Sequence, residues 1–233
     1  MRPSSQPRIT DPHDIPVVGD DHHLEPVDPA QLTAESLRER FRRARDFAAP
    51  LRGDGALAGP DRVPSRAAVL VGLVPRGDAL HVLLTRRTEH LRDHAGQISF
   101  PGGRSEPGDD SAEATALREA QEEVGLQPGH VEVLGRLPEY TTITRFVVTP
   151  VVALVQPSLQ LQPDPQEVAE AFEVPLPYLM TPAHHRRHVF RFDGGDRQFL
   201  SVPWRSPVPL EREYFIWGAT AAMLRNLYHF LRH

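Results

Sequence analysis

The chain has 233 residues, of which 39% are hydrophobic and 24% charged, enough for one domain with a buried core plus peripheral segments. A formal net charge of -5 gives no broad positive field for a nucleic-acid backbone. No Cys is present, which excludes disulfides, thiolate zinc sites and cysteine nucleophiles; all 26 basic residues are Arg, which removes the lysine of a phosphate-binding P-loop and lysine-nucleophile routes.

Residues 1 to about 30 are polar and Pro-rich, with too few apolar side chains to offset the entropy of ordering, and are expected to be disordered or draped on the surface. They contain no apolar core of a signal peptide. A helix is expected next, with Thr33 and Ser36 as candidate caps and Leu37, Phe41 and Phe47 on one face. Gly53 to Pro64 reads as a linker, so 31–64 is taken as helix plus linker and 65–233 as the main domain. Ala67–Val74 and Leu80–Thr85 are apolar runs of strand length, and Pro75-Arg76-Gly77-Asp78 between them predicts a hairpin. Ser111–Val124 has helical spacing. Val131–Leu137 and Phe146–Val155 read as strands, as do the weaker runs Val189–Phe192 and Phe199–Val202. Ile216–Leu231 closes the chain as an amphipathic helix. Strands interleaved with helices predict an α/β sandwich around a mixed sheet. No segment approaches the roughly 18 apolar residues of a membrane span, so a soluble cytoplasmic protein is expected, with neither membrane nor nucleic acid as partner.

The chemistry is concentrated in Gly102-Gly103-Arg104-Ser105-Glu106-Pro107-Gly108-Asp109-Asp110 and Arg118-Glu119-Ala120-Gln121-Glu122-Glu123-Val124-Gly125-Leu126. Asp110 with Glu113 predicts a capping box, and Gly125 a left-handed helix stop with Leu126 folded back. Glu119, Glu122 and Glu123 fall within an arc of about 100°, with Leu117, Ala120 and Val124 on the opposite side to pack on a sheet. Three carboxylates on one face repel one another, and hard oxygen ligands without Cys favour Mg²⁺ or Mn²⁺ over zinc. A solvated acidic helix face would be the ordinary reading of such a triplet. The Gly-rich loop, Arg118 and the terminal Gly coinciding with it favour the metal-binding one.

These residues resemble the Nudix box: Gly, five residues, Glu, seven residues, then Arg-Glu-aliphatic-x-Glu-Glu-x-Gly-aliphatic. Counted from Gly103, the acidic position falls on Asp109, eight residues rather than seven precede Arg118, and the aliphatic slot is Ala120. Leu83 to Gly103 resembles the signature that precedes the box in coenzyme A diphosphatases, where the extra box residue is normal; Thr88 departs from the usual Ser or Ala. Glu167–Leu176 and Ile216–Ala221 are similar to that subfamily too, so the resemblance covers roughly 65 to 231. It implies a Nudix α/β/α sandwich with a catalytic loop-helix-loop, Glu119 and Glu123 as principal metal ligands, and Glu122 as a further ligand or the catalytic base. Arg118 would orient the box carboxylates. Arg87 and Arg92 would grip phosphates, surface solvation being the even alternative. Gly102 and Gly103 would let the backbone approach metal or phosphate. The implied reaction is hydrolysis of the diphosphate of coenzyme A to 3',5'-ADP and 4'-phosphopantetheine, with another nucleoside diphosphate derivative such as ADP-ribose or NADH as the alternative. A catalytically dead, nucleotide-sensing module is disfavoured by the intact carboxylates, and a homodimer is a family-level expectation. Glu167 and Glu170 could supply a distant base or ligand, as late-loop acids sometimes do in Nudix enzymes, but are read as exposed helix charge; His184, His185 and His188 are read as a solvated loop, and Trp204 and Trp217 as packing residues rather than base-stacking platforms.

Overall fold

A computed structural model of the chain describes residues 9, 11–43, 47–55, 63–90, 96–157, 160–192 and 195–232. Arg92 and most of the expected linker lie outside these residues.

The strand β2 (Ser65–Arg76) is buried along most of its length and runs parallel to β8 (Phe146–Val155). A strand covered on both faces carries a continuous apolar run rather than an alternating one, which is what both sequences show. A two-residue turn links β2 to β3 (Ala79–Arg87), with Gly77 at φ +56 supplying the left-handed position that such a hairpin needs. Antiparallel to this core lie β4 (Ile98–Ser99), β5 (Gly102–Arg104), β6 (Val131–Arg136), β7 (Tyr140–Thr141) and β9 (Val168–Pro175), completing a mixed sheet.

One face of this sheet is covered by α2 (Ala112–Val124). Its Ala116, Ala120 and Val124 are fully buried against Ala68, Leu70, Leu83 and Val151. The other face is covered by α4 (Gly218–Arg232), whose Leu224 and Leu227 join Val71, Val152, Phe172 and Leu37 of α1 (Ala34–Arg43). Burying one such leucine contributes about 1.5–3 kcal/mol. A smaller antiparallel sheet, in the order β1 (Val17–Asp20), β10 (Arg186–Phe192), β11 (Gly195–Arg205) and β12 (Glu213–Trp217), flanks α4. A short helix α3 (Leu176–Leu179) follows β9. The α/β sandwich read from the sequence is therefore the observed architecture. No helix among the described residues is long and apolar enough to cross a membrane.

Several local expectations are corrected. Of the two expectations for the first 30 residues, the described part fits the draped one: it is mostly exposed, yet Val17–Asp20 pairs with β10, and Asp21 is buried in ion pairs with Arg187 and Arg225. These polar partners tie down a stretch that apolar content alone would leave free. The last helix begins at Gly218, at φ +63, so Ile216 and Trp217 belong to β12. Glu170 lies on β9, paired in register with Arg86, rather than on a helix. His185 and His188 are buried instead of solvated: His185 is bonded to Leu179 O and to Arg225, and His188 to Ile15 O and Ser201. Arg225, 40 residues on, and Leu179 O hold the first ring inside, and the small sheet with Ile15, 173 residues back, holds the second.

Candidate active site

The acids are presented by the end of α2, and the helix is fixed at both ends. Ser111, not Asp110, is its N-cap, accepting from Ala114 N–H at 3.1 Å. Glu113 pairs with Arg136 and also accepts from the hydroxyl of Ser111, so it serves that cap and not Asp110. Gly125 stops the helix at φ +71, and Leu126 N–H folds back to Ala120 O at 3.2 Å, as the Gly-aliphatic ending leads one to expect.

Arg118 organises the helix face. Its Nε and Nη2 donate to the two oxygens of Asp109, each at 3.1 Å, while Nη2 also reaches Glu119 Oε1 at 3.0 Å and Nη1 reaches Glu122 Oε2 at 2.9 Å. A planar guanidinium suits this divided engagement. Asp109 accepts further from Thr115 Oγ1 and from Glu106 N–H, both at 2.9 Å. The Arg118 contact first, helped by these donors, holds the Asp109 carboxyl well below the usual carboxylate range. Asp109, at the acidic position of the box, thus anchors Arg118.

Glu123 is 4% exposed. Gly102 N–H donates to its Oε2 at 3.1 Å, and Arg87 Nη1 donates to its Oε1 at 3.4 Å. Arg87 also approaches Glu167 at 3.9 Å, so it is engaged with the acids. Burial dominates and pushes the Glu123 carboxyl up to about 7; Gly102 N–H and Arg87 oppose this, and the charges of Glu119 and Glu167 add to it. Glu119 is raised too, by burial first, with Arg118 lowering it and Glu122 and Glu167 raising it further. Glu167, which precedes β9 and is half exposed, stands 3.9 Å from Arg87 and so lies beside these acids.

The two glycines are needed for close approach. A Cβ on Gly102, which has φ +153, would stand 2.4 Å from Ala68 O; a Cβ on Gly103 would stand 2.5 Å from Glu119 Oε2. The expected gathering of three acids is only partly realised. Glu122 is 60% exposed and turned to Arg118 at the rim, and among the described residues no three acidic or His side chains stand together as a metal-holding group. Glu119 and Glu123 fit a hard divalent ion: one carboxylate is half-buried and the other buried, neighbouring acids raise both, and bare glycine backbone faces Glu119.

A family model described as the NUDIX domain matches residues 64–192. The chain belongs to the Nudix hydrolase family. Its members are enzymes that act on pyrophosphate bonds and generally use divalent metal ions, and α2 lies inside the matched residues. The chain is 42% identical over 163 residues to a protein of Escherichia coli K12 named uncharacterized Nudix hydrolase NudL, covering 70% of this chain and 80% of that protein. The NudL of Salmonella paratyphi B is 44% identical over the same length and coverage. Among solved structures, the Nudix hydrolase RenU of M. smegmatis is 26% identical, with a TM-score of 0.42, covering 48% of this chain and 71% of that one.

Proposed function

We propose that this Nudix hydrolase cleaves the diphosphate bond of coenzyme A or its derivatives, releasing 3',5'-ADP and 4'-phosphopantetheine or its acylated form. The observation that carries the substrate assignment is the segment Leu83–Gly103. It resembles the signature of coenzyme A diphosphatases, and its Arg87 and Gly102 grip the two oxygens of Glu123.

Glu119 and Glu123 would hold Mg²⁺ or Mn²⁺. The ion, when bound, neutralises charge developing on the diphosphate and lowers the pKa of water. The chain's own residues position the rest. Arg118 fixes Glu119 and Glu122 through its Asp109 anchor, and Arg87 with Gly102 N–H fixes Glu123. Glu122, at the exposed rim, takes the proton of the attacking water. The water oxygen bonds to one phosphorus, the bridging P–O bond breaks, and its electron pair leaves with the other phosphate.

Purified protein incubated with CoA and MgCl₂ is expected to release 3',5'-ADP, resolved by anion-exchange chromatography. A panel of CoA, acyl-CoA, dephospho-CoA, ADP-ribose and NADH ranked by kcat/KM tests the assignment. No turnover of CoA or acyl-CoA alongside turnover of ADP-ribose or NADH would transfer the reading to those nucleotides. Glu122→Gln is expected to lower kcat about a hundred-fold with little change in KM.

A further inference from the structure

At the end of β3, consecutive side chains point to opposite faces of the sheet. Arg87 turns to Glu123, and Arg86 turns the other way, toward Glu170, into a cleft of about 1120 Å³. The loop entering β4 joins the two sides: Gln97 O accepts from Arg87 N–H at 3.0 Å, while Gly96, Gln97 and Ile98 edge the cleft. The far wall is the small sheet. There Arg186 of β10 pairs in register with Ser201 of β11, and Ser201 with Trp217 of β12. This cross-strand row sets the backbones of a cationic and an aromatic residue about 9–10 Å apart, two strand spacings, with buried Ser201 between them. Both ends of the row line the cleft.

The polar groups here are unevenly satisfied. Arg205 pairs with Glu213, and Arg212 with Glu170, whereas Arg186 is exposed and makes no ion pair among the described residues. Arg86 Nη2 stands 3.4 Å from Glu170 Oε2, a loose ion pair in which Arg86 Nε and Glu170 Oε2 are buried without a hydrogen bond. An apolar arm laid here would leave all three groups unmet. A heterocyclic base with its sugar phosphate would meet them: a ring for Trp217, a donor and an acceptor on its edge, and an anion for Arg186.

We propose that this cleft seats the nucleoside half of the substrate, with the base against Trp217 and a phosphate monoester of its sugar on Arg186. The proposal rests on the pyrophosphate-cleaving reading of the α2 acids, because it places the nucleoside and the scissile bond on either side of one strand end. It makes the small sheet and the N-terminal strand that edges it a specificity element rather than an appendage.

Calorimetric titration of 3',5'-ADP and of 5'-AMP into the full chain in Mg²⁺ buffer tests it. The 3'-phosphorylated nucleotide should bind the tighter of the two. Arg186→Ala, an exposed change, should weaken 3',5'-ADP about ten-fold and leave 5'-AMP unchanged. Trp217→Ala should weaken both, and Trp217→Phe should restore them. Should Trp217→Ala fail to fold by circular dichroism, Arg186→Ala decides alone. Equal affinity of wild type and Arg186→Ala for 3',5'-ADP, or no binding by wild type, overturns the proposal. The CoA assay separates the two readings. Without CoA turnover but with Arg186-dependent binding, the cleft stands and the substrate assignment falls. With CoA turnover but no effect of Arg186→Ala on nucleotide affinity or KM, the reverse holds.

Discussion

The acid-bearing segment around α2 and the small sheet that borders it are built on opposite scales. In the first, partners lie close along the chain: Arg118 and Asp109 are nine residues apart, Arg118 and Glu122 four, Gly102 and Glu123 21. In the second, Asp21 meets Arg225 across 204 residues and Arg187 across 166, and His188 meets Ile15 across 173. Chemistry assembled within one loop and one helix leaves a motif. A wall assembled from remote strands leaves none, although it decides what can lie beside the acids.

The sharpest way to probe this contrast is to remove one charge from each region. Glu123→Gln should lower kcat about a thousand-fold, in proportion to the loss of a preorganised charge at the reaction centre. It should leave the melting temperature unchanged or higher, because burial already disfavours the ionised carboxyl. Steady-state kinetics beside thermal circular dichroism reads both, and full activity would remove Glu123 from the site. Asp21→Ala should do the opposite. It leaves Arg225, 4% exposed, without its partner, and breaking a buried pair costs about 3–5 kcal/mol. Urea unfolding should show the loss, while kcat measured well below the melt stays near wild type. A wild-type midpoint for Asp21→Ala would mean that the N-terminal strand is not a structural part of the domain.

A smaller effect distinguishes the regions by pH. His185 is fully buried, and burial first, then the charge of Arg225, hold its pKa down at about 4 despite the bond to Leu179 O and the charge of Asp21. An unfolded chain takes up this proton near pH 6.5, where the folded one does not. The unfolded state therefore binds more protons between about 6.5 and 4, and stability falls as pH falls through that window. The contribution is present in full above pH 6.5, and about 3 kcal/mol of it is lost by pH 4. His185→Gln should flatten that part of the urea-midpoint profile, and an unchanged slope would place the titration elsewhere.

These contrasts explain what could be read from the chain. The β2–β3 hairpin, β8, the stop of α2 at Gly125 and the alignment of Glu119 with Glu123 all follow from periodicity and turn chemistry. Two-residue strands such as β4 and β7 carry too little pattern to register, and β9 is obscured by Glu167 and Glu170, whose charges suggest a solvated helix. Glu170 instead meets Arg86, Arg212 and Tyr214. Histidines 185 and 188, flanked by arginines, read as exposed because Arg225 and Ile15, which help to bury them, lie 40 and 173 residues away. Glu122 shows the limit within the motif itself: helical spacing sets its direction, but Arg118 sets which way its carboxylate turns.

The smallest expected effect concerns the N-terminus of α2. Asp110 and Ser111 are both capping residue types, and Glu113 three residues after Asp110 favoured the former. Ser111 wins because Asp109, its Thr115 bond and Arg118 already fix the loop in a register where Ser111 Oγ faces Ala114 N–H, and Glu113, held by Arg136, meets Ser111 and not Asp110. Ser111→Ala should therefore cost about 1 kcal/mol, the usual value of a lost cap, and Asp110→Ala close to nothing. Urea midpoints of the two variants decide the matter. Equal losses would mean that the cap is shared, and that the loop before the box helix is held less firmly by Asp109 than its four hydrogen bonds to Arg118, Thr115 and Glu106 N–H imply.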